Sequence, residues 1–482
     1  MYPTQRGFRT LPSPMEFYPA LKDATPTNSA RVCKGAYYAR YLDGGVKFLA
    51  GGNDKLFRAD AGAWVDASGL QTFNVSTEDR WRFAQFGNNT IAVNGNDGPQ
   101  SITNAGSNFA IIATAPVAKY VATANNFVFL ANLSGGSLTE TSWWTSAIGD
   151  LTDWDADIAT QSVNGALNDT EGPITAVRAL GRNVVVYKER SVYLFEYVGP
   201  PIVWANQILS QRSGALSDEA VVDIGGTHVF MGYDDFYIFD GSGPPRKAES
   251  PLREFIFEED ALYALDRNYG YAVAARYDRI KDVVFFHYPS VALAQNQTSP
   301  PTLDRFIAWT PGTNRWAQGG YDVTQVILPE IGSSLGLTYI GFGSEYTNWE
   351  DATGVSWQSQ IFAGASGVIQ GVVQQDDEKF YVFTGGVHAD SYVRTGLLGN
   401  GVEYAFIREA RPRVARAPVS ATGTRCVVNV REFMAAQPVE SYDQIYDPSV
   451  GSFQLRGDRR YADLKIEFGE HAEILGLDID VQ

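Results

Sequence analysis

Val184-Val185-Val186-Tyr187, then Lys188-Glu189-Arg190, then Ser191-Val192-Tyr193-Leu194-Phe195-Glu196-Tyr197 decides the fold. β-Branched and aromatic residues on both sides of a short charged turn read as strand, tight turn, strand. The unit recurs as Thr227–Met231 with Phe236–Phe239 around Gly232-Tyr233-Asp234-Asp235, and as Val46–Ala50 with Lys55–Arg58 around Gly51-Gly52-Asn53-Asp54. Weaker copies pair Trp81–Ala84 with Thr90–Val93, Tyr120–Ala122 with Phe127–Leu130, and Tyr271–Ala274 with Val283–Tyr288. Starts near residues 44, 81, 120, 174, 221, 271 and 325 are spaced by about 47 residues, the length of a propeller blade. A small meander cannot bury its own faces, and radial stacking solves that while leaving only short, protected edges. Trp64 and Trp316 each follow a Gly- or Asn-bearing turn on an outer strand, where they are expected to pack between blades. The fold expected is all-β, a propeller-like domain of about six blades over residues 35–345. A pair of β-sandwiches is the alternative that short strands also permit.

The flanks read differently. Residues 1–34 form a Pro- and aromatic-rich arm, with Pro3, Pro12, Pro14, Pro19 and Pro26 beside Phe8, Phe17 and Tyr18. Proline favours extended chain, so the arm is expected to lie along a surface, either its own domain or another subunit. From about residue 346 the period is lost, and residues 346–482 read as a separate, sandwich-like β-rich region. Within it Asp376, Asp377 and Glu378 form an acidic loop, a candidate channel or gate element. Arg411 and Arg413 share one strand face, with Arg408 and Arg416 nearby. They read as a docking stripe for carboxylate or phosphate, or as a solvated face paired with local acids.

Composition narrows the function. The 482 residues are 44% apolar, 13% aromatic and 19% charged, with a net charge of −17. That is apolar enough for a large core, and it runs against the basic stripe of a nucleic-acid binder. Arginine outnumbers lysine, and its planar guanidinium suits fixed interfaces. No apolar run reaches membrane-spanning length, and the first residues carry no secretory apolar segment. Cys33 and Cys426 are too few for a disulfide framework, so synthesis in a reducing cytoplasm is expected. Gly332-Ser333-Ser334-Leu335-Gly336 matches a nucleophile elbow, but a strand-like run follows it where a helix is required. Asp153, Asp155 and Asp157 have calcium-loop spacing, yet Ile158 and Asn164 stand where the loop needs Gly and Glu, so turn capping accounts for them better. No phosphate-binding glycine motif occurs. No catalytic residue, metal or cofactor is expected.

One stretch resembles a known family. Ser142-Trp143-Trp144-Thr145-Ser146, Gly149-Asp150 and Asp153-Trp154 begin it, followed by Gly172-Pro173-Ile174-Thr175-Ala176 and Gly181. Tyr187 through Phe195, Gly199, Gly214, Gly232 through Asp235, Asp240-Gly241 and Pro251 continue it, and Tyr461 through Gln482 resembles the family's final strands. The chain in these parts is similar to the tail-hub, or tail-nozzle, proteins of short-tailed bacteriophages, also called packaged-DNA stabilisation proteins. The match is close over about a quarter of the chain, and residues 1–30 and 346–400 depart most from it. The resemblance implies a homo-oligomeric ring, usually a hexamer, in the virion tail and made in the host cytoplasm. The ring would sit below the head-completion adaptor and carry a needle, plug or fibres. It would retain packaged DNA and later pass it without sequence-specific binding or membrane insertion. A glycan-degrading propeller enzyme of the tail and a monomeric propeller interaction module are the alternatives. If the acidic loop belongs to the channel, changing Asp376, Asp377 and Glu378 to lysine slows DNA release, and unchanged ejection kinetics overturn that assignment.

Overall fold

The computed structural model describes residues 1–22, 31–60, 62–258, 263–279, 281–294, 302–327, 371–374, 377–387, 391–396, 398, 405–416, 424–431, 440–446, 451–459, 461–468 and 473–481. It is all-β. Six consecutive four-stranded antiparallel meanders, each built from neighbouring segments of chain, follow one another from Gly35 to Ile327. Blade 1 runs from Gly35–Arg40 to Ala63–Asp66, and blade 2 from Arg82–Phe86 to Ala110–Ile111. Blade 3 runs from Val117–Ala124 to Asn164–Ala166, and blade 4 from Ile174–Leu180 to Val203–Ser210. Blade 5 runs from Val221–Asp223 to Arg246–Lys247, and blade 6 from Ala274–Asp278 to Arg315–Ile327. First strands of successive blades are mutual neighbours, which places them around the axis. The expected blade start near 325 is instead the end of the long last strand of blade 6.

The deciding stretch shows why the blades form. Side chains alternate across a strand, so Val184 and Val186 face blade 3, joining Phe127, Phe129 and Trp143 in one core. Val185 and Tyr187 face blade 5, joining Phe230, Tyr237 and Phe239 in another. A strand buried on both faces reads as a continuous apolar run. The outer-strand tryptophans bridge backward. Trp204 of blade 4 meets Phe127 of blade 3 at 5.5 Å between ring centroids. Trp316 of blade 6 meets Phe236 of blade 5 at 5.0 Å.

The same device closes the circle. The sheet of blade 6 is extended by Gly371–Gln374, by Phe380–Val387 and by the arm strand Pro12–Tyr18. Its Phe380 and Tyr18 pack on Trp64 of blade 1, with ring centroids 5.0 and 4.9 Å away. The arm therefore lies on its own chain. Its first residues, Tyr2–Pro3 and Phe8–Arg9, pair beside Glu473–Val481 in a five-stranded sheet with Ala405–Arg416 and Phe453–Arg459. A second, four-stranded sheet holds Tyr392–Arg394, Tyr461–Phe468, Thr424–Arg431 and Glu440–Ile445. Ile407, Phe453 and Leu455 from one sheet and Cys426, Val428, Leu464 and Ile466 from the other share one core. Thr424–Arg431 buries alternate residues, as a strand with one covered face should. The expected domain boundary at 345 lies outside the described residues.

Trp204→Ala is expected to cost about 3–5 kcal/mol, because it opens the core between two blades. The exposed Leu70→Ala is expected to shift stability by less than about 0.5 kcal/mol. Denaturant titration of the two variants checks both.

Candidate functional site

In a four-stranded meander, the turn between strands two and three lies on the same face as the connection to the next blade. On that face, between blades 4 and 5, a groove of about 280 Å³ is lined by Glu189, Arg190, Arg212, Ser213, Gly214, Tyr233, Asp234 and Arg267. The Lys188-Glu189-Arg190 turn and the Gly232–Asp235 turn are its two banks, with Gly214 on the connection between the blades. The glycine is dictated by close approach, since a Cβ there would stand 2.0 Å from the Lys188 carbonyl oxygen. Lys188 points inward, where its buried ammonium donates to the Leu167 and Thr170 carbonyls. Glu189 and Arg190 both line the groove.

The groove's acids are already engaged. Asp234 accepts from the Tyr237 hydroxyl at 2.7 Å and from Lys247 Nζ at 2.9 Å. Burial pushes the Asp234 carboxyl up, but these two bonds outweigh it and hold it below its ordinary value. Tyr233 is pushed up to about 12, by burial first and then by the neighbouring Glu189 carboxylate. Arg267 donates to the Phe257 carbonyl at 3.1 Å. Arg190 and Arg212 are exposed, and neither forms a salt bridge among the described residues. Their guanidinium forks can take carboxylate or phosphate oxygens from a docking partner.

The propeller axis lies on the same face and is closed. Arg82, on the first strand of blade 2, reaches Glu219 Oε1 at 2.7 Å and Asp218 Oδ2 at 3.1 Å. Arg178 of blade 4 reaches Asp218 Oδ2 at 2.8 Å, and Arg276 of blade 6 reaches Glu219 Oε2 at 2.6 Å. Asp218 and Glu219 lie on the connection into blade 5, so two carboxylates tie together four blades. Both are buried. Burial alone would raise the Glu219 carboxyl, but Arg82 and Arg276 overcome this and hold it at about 2. The cavity left at this mouth is small, about 30 Å³, room for a few water molecules at most.

The residues singled out from sequence do not meet here. Asp377 occupies the turn between Gly371–Gln374 and Phe380–Val387, where it accepts from the Lys379 amide at 3.0 Å and from the Tyr381 hydroxyl. Glu378 holds a left-handed backbone at φ 55° in that turn, and Lys379 bonds Glu16 of the arm at 2.8 Å. Asp376 lies outside the described residues. Arg408, Arg411 and Arg413 are exposed on the strand Ala405–Arg416. Arg411 pairs with Glu409 at 3.0 Å and Arg413 with Asp478 at 2.7 Å. The side chain of Arg416 lies outside the described residues.

Asp153 accepts from the Asp155 amide and Asp157 from the Ala159 amide. These carboxylates serve turns, and among the described residues no cluster of His, Cys, Asp and Glu is arranged to hold a metal. Gly332 through Gly336 lies outside the described residues. The axial charges were missed by sequence reasoning. Their one signal is a charged residue interrupting the first strand of a blade, as at Arg82, Arg178 and Arg276.

No family model matches the chain, and no curated protein matches it. Similar solved structures include a chain of the mitotic checkpoint complex, 7% identical, covering 78% of this chain and 95% of that one at a TM-score of 0.40. YCF48 bound to D1 peptide is 12% identical, covering 66% and 92% at a TM-score of 0.35. The extracellular domain of the two-component system BT4673 from B. thetaiotaomicron is 9% identical, covering 86% and 44% at 0.41. Its own sheet order and inter-blade cores define this chain as a β-propeller. Among the described residues no helix is long and apolar enough to cross a membrane.

Glu219 has a strongly lowered carboxyl, so its stabilising contribution is complete above about pH 4.5 and is lost as pH falls toward about 2. Glu219→Gln is expected to cost about 3–5 kcal/mol at pH 7, because it strands buried guanidinium groups. It should also flatten the acid limb of stability between pH 4.5 and 2, as measured by denaturant titration across pH.

Proposed function

We propose that this chain is a structural subunit of a ring, the tail hub or nozzle of a short-tailed bacteriophage, that retains packaged DNA and forms its exit path. The observation that carries this reading is the closed axis. Four blades are bolted together by buried ion pairs beside a cavity of only about 30 Å³. A propeller bolted in this way suits a rigid wall element better than a conduit of its own. The channel would then be the space that assembled copies enclose, and the chain would carry no catalytic activity of its own.

Three further features support this reading. The resemblance to hub proteins runs through the turns that form the banks of the Arg190 and Arg212 groove. A subunit charge of −17 summed over six copies is roughly −100, and a wall of that sign repels phosphate and favours sliding over sticking. The two-sheet C-terminal region and the arm add surfaces for the adaptor above and for the needle, plug or fibres below. On this reading the protein resides in the virion tail, after synthesis in the host cytoplasm.

Light scattering and negative-stain microscopy, with the chain alone and mixed with its portal–adaptor complex, test the proposal. An annular assembly, expected to be a hexamer, supports it. A monomer in both samples overturns it in favour of an interaction module, and release of reducing ends from host polysaccharide overturns it in favour of a tail enzyme. Arg190→Glu with Arg212→Glu is expected to weaken ring or adaptor association at least tenfold, with thermal unfolding unchanged.

A further inference from the structure

Basic side chains outnumber acids at the axial mouth of this acidic protein. Arg80, Arg82 and Lys119 line its cavity, Arg178 and Arg276 hold the adjoining Asp218 and Glu219, and Lys34 shares the Thr77 carbonyl with Arg80. The carboxylates facing them are Glu78, Asp79, Asp218 and Glu219, and Glu78 is exposed. Asp79 is taken by Lys119 at 2.8 Å. Asp218 and Glu219 are each shared between two arginines.

Two buried cations are left without a carboxylate among the described residues. Arg80 is 7% exposed and donates only to the Thr77 and Asp79 carbonyls, at 2.8 and 3.0 Å. Lys34 is 4% exposed and donates to the Ser76 and Thr77 carbonyls, at 2.9 and 3.0 Å. Both rest on the Thr77 oxygen. Burying a charge without a counter-charge is costly, and two cations sharing one carbonyl compound that cost.

The cavity of about 30 Å³ at this point is lined by Arg80, Arg82, Lys119, Leu216 and Ser217, by the rings of Tyr120 and Tyr271, and by one carboxylate, the exposed Glu78, against three cations. Neither tyrosine hydroxyl is hydrogen-bonded among the described residues. Burial holds both phenols above their ordinary value, so they stay protonated donors. Excess buried positive charge and two hydroxyl donors around one small cavity describe a site for a small anion.

We propose that the axial cavity binds a single small anion, with chloride as the abundant candidate in the cell, held by Arg80 and by the hydroxyls of Tyr120 and Tyr271. The ion supplies the missing negative charge and makes the axial lock dependent on chloride. A water molecule would fill the same volume without compensating the charge.

Thermal unfolding in sodium chloride and in sodium gluconate at matched ionic strength tests this. Chloride is expected to raise Tm by roughly 2 °C or more, in a saturating way. Arg80→Gln should lose that increment, and Tyr271→Phe should reduce it. A crystal grown in sodium bromide should show an anomalous peak in the cavity against Arg80. Superimposable curves in the two salts, an increment retained in a folded Arg80→Gln, or water alone in the bromide crystal each overturn the proposal. If Arg80→Gln does not fold, the wild-type salt comparison and the bromide crystal still decide it.

Discussion

Every blade has two apolar faces and can cover neither by itself. That constraint governs the propeller. The second strand of blade 4 sends alternate side chains into two different cores, one shared with blade 3 and one with blade 5. Each neighbour has the same need, so the pairing propagates around the ring and must close on itself. Closure falls to Phe380 and Tyr18, which reach Trp64 from the extended sheet of blade 6. Distant parts of the chain, the arm and the strand Phe380–Val387, are thus recruited to cover the last open face.

The axis adds a different kind of lock. Apolar packing between blades is non-directional and tolerates sliding. The Arg82, Arg178 and Arg276 pairs with Asp218 and Glu219 are directional and fix the blades at one spacing. Their gain is offset by desolvation, so they are weak evidence for stability but strong evidence for a filled centre. The Arg190 and Arg212 groove places exposed positive charge on a protein of opposite net sign.

The two regions of the chain leave different marks in sequence because they bury their strands differently. Val184 through Tyr187 is apolar at every position, and its strand is covered on both sides. Thr424 through Arg431 alternates, and its strand is covered on one. The inner and middle strands were legible for this reason. The outer strands Ala110–Ile111, Asn164–Ala166 and Arg246–Lys247 are two or three residues long and largely exposed. They carry no periodic signal, so the strand pairs legible in the sequence are the second and third of blades 1, 4 and 5 and the first and second of blades 2 and 3, whereas in blade 6 the stretch Tyr271–Ala274 expected as a strand closes a 3-10 helix and the first strand is Ala274–Asp278. The long strand Arg315–Ile327 looked like two elements because it runs past the width of its own blade.

The local code by itself determined the all-β class, the repeat length and the bridging role of the turn-borne tryptophans, because alternation, turn residues and spacing are properties of neighbouring residues. It also supplied Lys188-Glu189-Arg190 and Gly232 through Asp235 as separate turns. Only the tertiary structure decided that these turns are the two banks of one groove, that Arg82 meets Glu219 across the axis, and that the arm joins two sheets of its own chain. Each of these contacts joins residues far apart in the chain, and a charge in a strand shows nothing of its partner until the ring has closed around it.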